Sequence, residues 1–367
     1  MNKDPASWRR RQSTQALLCA ALAPAWRMAE AASAPPWRMP DEGSPHRRTW
    51  MAWGAQAAIW GRRQLPDVRE DLARIAGAIV RFEPVSMWVR AGEEAQARAL
   101  LCPQVDLVVG ALDDVWMRDT GPVFVQSPEG QRAAVGFNFN GWGGKQAHAH
   151  DRSVAQRTAA QAGVAFRRSA LTLEGGGIEV DGEGTAIITE SCVLNDNRNP
   201  GLSKADVEAH LRRDLGLTSV IWLPGVRGRD VTDGHTDFYA RFVRPGVVVA
   251  ALDPDPQSFD HAVTQTHLRL LRQAKDAQGR ALEVITLPAP QRLRAHWADE
   301  DFAAGYINFY VCNGAVIAPQ FGDPKADAFA HGVLQRLYAP RVVVPVAIDA
   351  IAAGGGGIHC VTQQEPA

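Results

Sequence analysis

Four stretches of the chain share one hydropathy pattern. "RDTGPVFVQSPEGQRAAVGFNF" carries an apolar run, a turn containing Pro128 and Gly130, and a second apolar run. "EGGGIEVDGEGTAIITE" repeats the scheme around Asp181-Gly182, "HTDFYARFVRPGVVVAAL" around Pro245-Gly246, and "NFYVCNGAVIAP" around Asn313-Gly314. Alternating apolar runs around Asn-Gly, Asp-Gly or Pro-Gly predict β-hairpins. Helix-period stretches separate them. In "LSKADVEAHLRRDLG", Ser203 reads as the N-cap, Asp206 as its partner three residues on, and Gly216 as the stop, with Val207, Leu211 and Leu215 on one face. "LPDVREDLARIAGAIVRF" and "DPKADAFAHGVLQRLYAP" read in the same way. The chain is thus a series of hairpin-plus-helix units, an α/β arrangement whose copies are too divergent to form a solenoid.

Each hairpin opens on polar side chains: Asp119, then Glu174, then His235 with Asp237, then Asn308. Such groups are costly to bury without partners. If the units surround a common axis with their strand starts inward, these groups meet there. The tail, "GGGGIHCVTQQ", then delivers Cys360 to the same place. Alternation along an extended strand would turn His359 away from Cys360 and leave it a structural role. The same alternation puts Asp237 on the strand face of His235.

The 367 residues are 46% hydrophobic and 22% charged, with a formal net charge of −1. That composition belongs to a globular chain long enough for a large core, with no electrostatic footprint for nucleic acid or a membrane surface. Past residue 36 no linker or shift in composition marks a second domain. Five dispersed cysteines without a CxxC pair fit neither a disulfide framework nor a structural zinc site. Cys102, Cys192 and Cys312 lie in apolar runs and read as core. Ahead of the fold, Arg9, Arg10 and Arg11 precede an Ala-rich apolar segment and the Ala32-Ser33-Ala34 triplet. Residues 1–35 therefore read as a twin-arginine type export signal, giving a periplasmic or secreted protein, or else as a disordered extension of a cytoplasmic one.

A thiol is a nucleophile only as thiolate, and His235 is the group placed to help Cys360. Two carboxylates beside it would repel the oxyanion of acyl transfer, yet they suit a planar cation with N–H donors. Cys360, His235, Asp119 and Asp237 together describe attack on a guanidinium carbon. A metal held by His235, Asp237, Glu174 and a cysteine is the other reading, but its spacing matches no zinc pattern.

These residues also carry a resemblance. "WMRDTGPVFV", "LEGGGIEVDGEGTAIITESCVLNDNRNPGLSK", "TDGHTDFYARF", "YINFYVCNGAVIAPQFGDPKAD" and "GGGGIHCVTQQEPA" resemble the agmatine deiminases and the wider group containing the bacterial peptidylarginine deiminase. "WRMPDEGSPHRRTWMAWG" is similar to the N-terminal signature of that group, so the likeness runs through residues 37–367. The resemblance implies a single catalytic domain over 36–367 with the pentein fold, a five-fold pseudo-symmetric α/β-propeller. It implies Cys360 as nucleophile, His235 as general acid/base, Asp119 and Asp237 as the guanidinium grip, Asn308 at the site, and Glu174 orienting the histidine. Trp116, three residues before Asp119, is a further substrate-binding candidate. No cofactor or metal is implied. The implied partner is agmatine, another small guanidine or an arginine peptide, with a homo-oligomer left open.

The segment "GFNFNGWGGKQ" offers Asn138, Asn140 and Trp142 where the peptidylarginine type carries arginines, which is closer to the agmatine type; Lys145 remains available to meet a carboxylate. Amidinotransfer to an amine, or binding of guanidines without turnover, are the competing functions.

Overall fold

The structure is a computed structural model that describes residues 37–294, 296 and 302–367. The export-signal reading lies outside the described residues. From Pro36 onward the chain forms one compact unit. Among the described residues no helix is long and apolar enough to cross a membrane.

All four hairpins form as antiparallel pairs: Val123–Gln126 with Arg132–Gly136, Ile178–Val180 with Thr185–Thr189, Ala240–Arg244 with Val247–Leu252, and Tyr310–Cys312 with Ala315–Gln320. Pro245-Gly246 and Asn313-Gly314 make two-residue turns, with Gly246 at φ 78° and Gly314 at φ 83°. A third strand, not foreseen from the pattern, completes each sheet. Ala165–Arg168, Ser219–Leu223, Glu283–Pro288 and Val342–Ala347 lie parallel to the second strand of their hairpins. A parallel pairing needs a crossover, and in each unit a helix supplies it. These helices are Val154–Ala162, Lys204–Leu215, Asp260–Gln273 and Pro324–Leu337.

The predicted caps are present. Ser203 accepts from the Asp206 amide while Asp206 reaches back to the Ser203 amide, and Gly216 ends the helix at φ 73°. Asp323 accepts from the amides of Lys325 and Ala326 at the start of Pro324–Leu337.

A fifth sheet joins the two ends of the described chain. Gln363–Pro366 runs antiparallel to His46–Ala52, which pairs in parallel with Val85–Val89 and then Asp106–Val109. The helix Ala57–Ile79 makes its crossover. The fold is therefore mixed α/β, with five sheets of like connectivity, one of them assembled from residues more than 300 positions apart.

The closing strand reads Gln-Gln-Glu-Pro, yet all four residues are buried. Glu365 makes this tolerable: Trp50 donates to it from Nε1 at 2.9 Å, and the guanidinium of Arg132 caps its other oxygen. Glu365→Ala should leave both donors facing a hole. We expect a loss of about 2 kcal/mol of unfolding free energy, read as a lower denaturation midpoint, since Arg132 keeps some access to water. An unchanged midpoint would show that the closure does not depend on this carboxylate.

Candidate active site

The hairpin-opening residues stand on the turns that lead into each first strand. Asp119 lies in the short helical turn Met117–Thr120, Glu174 just before the turn Gly175–Gly177, His235 and Asp237 around the turn Thr236–Phe238, and Asn308 two residues before Tyr310–Cys312. Asp237 thus occupies a 3₁₀ turn and not the strand face expected. The tail brings Cys360 to the same cluster, also on a turn, with the strand starting only at Gln363. All six side chains are buried.

Around Cys360 the contacts are close. Asn308 Nδ2 donates to Sγ at 3.4 Å, and Sγ lies 3.6 Å from Asp237 Oδ2. Asn308 Oδ1 also accepts from the His359 amide at 2.9 Å and the Cys360 amide at 3.3 Å, fixing the turn that presents the sulfur. Burial pushes the Cys360 thiol well above its ordinary range, and the carboxylates of Asp237 and Asp119 push it further.

His235 sits between carboxylates. Its Nε2 donates to Glu174 Oε2 at 3.2 Å, while Nδ1 faces Asp119 Oδ2 at 3.8 Å. Burial would lower its pKa, but Asp119 and Glu174 outweigh that and hold it well above the usual value. Asp119 accepts from the Gly176 amide and from Trp142 Nε1, both at 3.0 Å; burial raises its pKa, with Glu174 and Asp237 adding to the rise. Asp237 Oδ1 is buried without a hydrogen-bond partner.

Gly176 shows where these groups converge. A Cβ placed there would lie 2.6 Å from His235 Nδ1, 2.9 Å from Asp119 Oδ1 and 3.1 Å from Asp237 Oδ2. An imidazole nitrogen and two carboxylates, one of them with an oxygen still unsatisfied, thus gather against this one stretch of backbone. That is a receptor for a planar cation with several N–H groups.

Behind the site, Glu174 accepts from Arg198 Nε at 2.9 and 3.0 Å; burial works to raise its pKa, and His235 and Arg198 hold it low. Arg198 also meets Asp233 at 2.9 Å, and Asp233 meets Lys145 at 2.9 Å. Cys192 Sγ is 3.7 Å from Glu174 Oε2, so this cysteine lines the back of the site besides filling core. Glu174, Cys192 and His235 have the composition of a metal cluster, but the Arg198 guanidinium already lies on both oxygens of Glu174. The residues do not favour a metal there.

The surroundings of four residues go beyond the sequence reading. His359 does not turn away: on a turn there is no period of two, and its Nδ1 donates to Asp237 Oδ2 at 2.7 Å. Trp116 is buried beneath the glycine run, its ring tilted against Trp60 at 5.6 Å and its Nε1 donating to Asp114 at 2.9 Å. Its indole supports the loop under Cys360. Trp142, read only as a mark of substrate type, instead holds Asp119, with a left-handed backbone at φ 54°. Lys145 is not available for a substrate carboxylate, because Asp233 and the carbonyls of Asp230 and Val231 occupy its ammonium.

Comparison with known proteins agrees with this geometry. A family described as Porphyromonas-type peptidyl-arginine deiminase matches residues 38–366. The agmatine deiminase of Pseudomonas aeruginosa (strain LESB58) is 41% identical over 351 residues, covering 89% of this chain and 95% of its own. A Streptomyces coelicolor relative, provisionally named an agmatine deiminase, is 47% identical over 337 residues, covering 89% and 98%. The solved agmatine deiminase of Enterococcus faecalis superposes with a TM-score of 0.86 at 33% identity, covering 90% of this chain and 96% of its own. With its motifs in order and its five sheets closed by its own ends, the chain belongs to the Porphyromonas-type peptidyl-arginine deiminase family.

Proposed function

We propose that the protein is an agmatine deiminase, hydrolysing the guanidinium of agmatine to a ureido group and ammonia through a thiouronium on Cys360. The observation that carries this reading is the cluster at Gly176, where His235 Nδ1, Asp119 and Asp237 converge, with Asp237 also beside the Cys360 sulfur. Agmatine is favoured over free arginine or an arginine peptide by the relatives' names and by the cations beside the site. Arg118, Lys145, Arg198 and Arg241 are each tied to a carboxylate, leaving none of these four for a substrate carboxylate.

The geometry supports a two-stage reaction. Asp119 and Asp237 take the guanidinium N–H groups and hold its carbon over the sulfur. Neutralised by that cation, they cease to oppose ionisation of the thiol, whose proton passes to solvent as the substrate binds, and the thiolate adds to the carbon. His235, kept protonated by Asp119 and Glu174, gives a proton to the departing nitrogen, which leaves as ammonia. The now neutral imidazole takes a proton from water, the hydroxide adds to the thiouronium carbon, and collapse expels the sulfur as thiolate, which takes the proton of the new hydroxyl and returns to thiol. The product is N-carbamoylputrescine, and His235 is again charged.

Three outcomes follow. Cys360→Ala should abolish ammonia release from agmatine, and wild type should prefer agmatine over arginine and over a short arginine peptide in side-by-side assays. Persistent turnover in the variant would rule out the covalent route, and a preference for the peptide would reassign the substrate. Gly176→Ala should fold, by circular dichroism, but lose about 100-fold or more of kcat/KM, because the new methyl strikes His235 Nδ1 and Asp119 and pushes them out of position. Finally, Asp237 raises the Cys360 pKa, so Asp237→Asn should lower it: alkylation of Cys360 by uncharged iodoacetamide should set in at lower pH than in wild type. An onset that stays put or moves upward would contradict the electrostatic role given to Asp237.

A further inference from the structure

The histidine next to the nucleophile is itself held between two carboxylates. His359 Nδ1 donates to Asp237 Oδ2 at 2.7 Å and Nε2 to Glu42 Oε2 at 2.9 Å, with the ring 2% exposed. Across the site, His235 stands likewise between Asp119 and Glu174. Each gripping carboxylate therefore has an imidazole beside it, and each imidazole has a second carboxylate anchored by arginine: Arg198 on Glu174, and Arg118 and Arg241 on Glu42. The two halves differ in one respect. His235 turns Nδ1 to the point at Gly176 where the gripping carboxylates converge, whereas His359 holds Asp237 by the oxygen that also neighbours Cys360 and leaves Oδ1 unpartnered.

We infer that His359 is a positioning residue for the reaction: by tying Oδ2 of Asp237 it fixes that carboxylate beside Cys360 and leaves Oδ1 free to accept from the guanidinium of the substrate. This inference rests on the guanidine-hydrolase reading above. Burial, Arg118 and Arg241 press the His359 ring toward the neutral form. A neutral ring, however, would set one bare nitrogen against a carboxylate, so the paired acceptors favour the doubly protonated ring. In that state it also keeps Asp237 ionised, as the depressed pKa of that carboxylate requires against its burial.

Two substitutions separate this role from a structural one. The amide nitrogen of Asn can stand where Nδ1 stands and that of Gln where Nε2 stands, so His359→Asn preserves the donor to Asp237 and His359→Gln the donor to Glu42. KM and kcat for ammonia release from agmatine, and the thermal midpoint, are measured for wild type and both variants. Expected is a KM near the wild-type value in His359→Asn and a rise of about tenfold or more in His359→Gln, with kcat changed less, whatever the order of their midpoints. In a Cys360→Ala, Asp237→Asn background, His359→Gln should weaken agmatine binding no further. The inference is overturned if Gln preserves KM as well as Asn does, if activity simply follows the midpoints, or if the Asp237 and His359 losses multiply. A wild-type protein that releases no ammonia from any guanidine would instead remove the functional reading beneath it.

Discussion

The carboxylate of Glu42 ties together elements from almost every part of the ring. Its Oε1 accepts from Arg241 at 2.7 Å and from the Val311 amide at 2.8 Å; its Oε2 takes Arg118 at 3.1 Å and His359 at 2.9 Å. Arg241, 1% exposed, continues to Glu179 at 2.8 Å and to the Phe309 carbonyl. One glutamate thus meets donors from the lead-in to the first hairpin, from the third and fourth units and from the tail, and Arg241 adds the second unit. Burying such a set is tolerable only when every charge is matched, because removing one partner strands the rest in a medium that solvates them poorly. Burial still leaves its mark at Glu179, pushed up to about 7 despite Arg241. The turns that carry the chemical groups are held in register by this network, and the site is as rigid as its charge balance.

The chain's pattern discloses the fold unevenly. The four hairpins and the capped helix Lys204–Leu215 follow from local rules, since each turn and cap is satisfied by neighbours in sequence. The fifth sheet is invisible to such rules. Its closing strand is polar, and its burial depends on Trp50 and Arg132, which no local periodicity can pair with Glu365. The site divides in the same way. Cys360, His235, Asp119 and Asp237 are legible because each does chemistry that few residue types can do. Glu42, Arg198 and Arg241 read as solvated charges until the fold buries them, and Trp142 gives no sign of its bond to Asp119 until the fold brings its ring there. His359 escapes the alternation rule because its segment turns and is not extended.

Electrostatics also explain how so enclosed a thiol can serve as a nucleophile. Two unit charges about 4 Å apart at an effective dielectric near 20 interact by about 4 kcal/mol, equivalent to roughly three pKa units. Each carboxylate near Cys360 therefore opposes its ionisation by an amount that a cation in the same place can cancel. A neutral molecule entering the site would leave the sulfur protonated. A guanidinium brings the charge that relieves Asp119 and Asp237 and the carbon that the sulfur attacks, so recognition and activation are one event. Selectivity for cations is then a property of the reaction as well as of binding.

The glycine run before Cys360 belongs to the same design. Side chains there would strike different neighbours: a Cβ on Gly354 would meet the Trp60 ring, on Gly356 the Trp116 ring, and on Gly357 the Asn308 amide, while Gly355 takes φ 84°. Forgoing side chains costs backbone entropy at each position, roughly 0.5–1 kcal/mol relative to alanine. What it permits is backbone laid directly on two neighbouring indoles and on the amide that hydrogen-bonds both Cys360 and its preceding residue. Flexibility in the unfolded chain and close packing in the folded one are compatible, because the missing side chains leave room that the indoles and Asn308 fill. The segment is therefore fixed by its surroundings, and the thiol is held where the guanidinium carbon has to arrive.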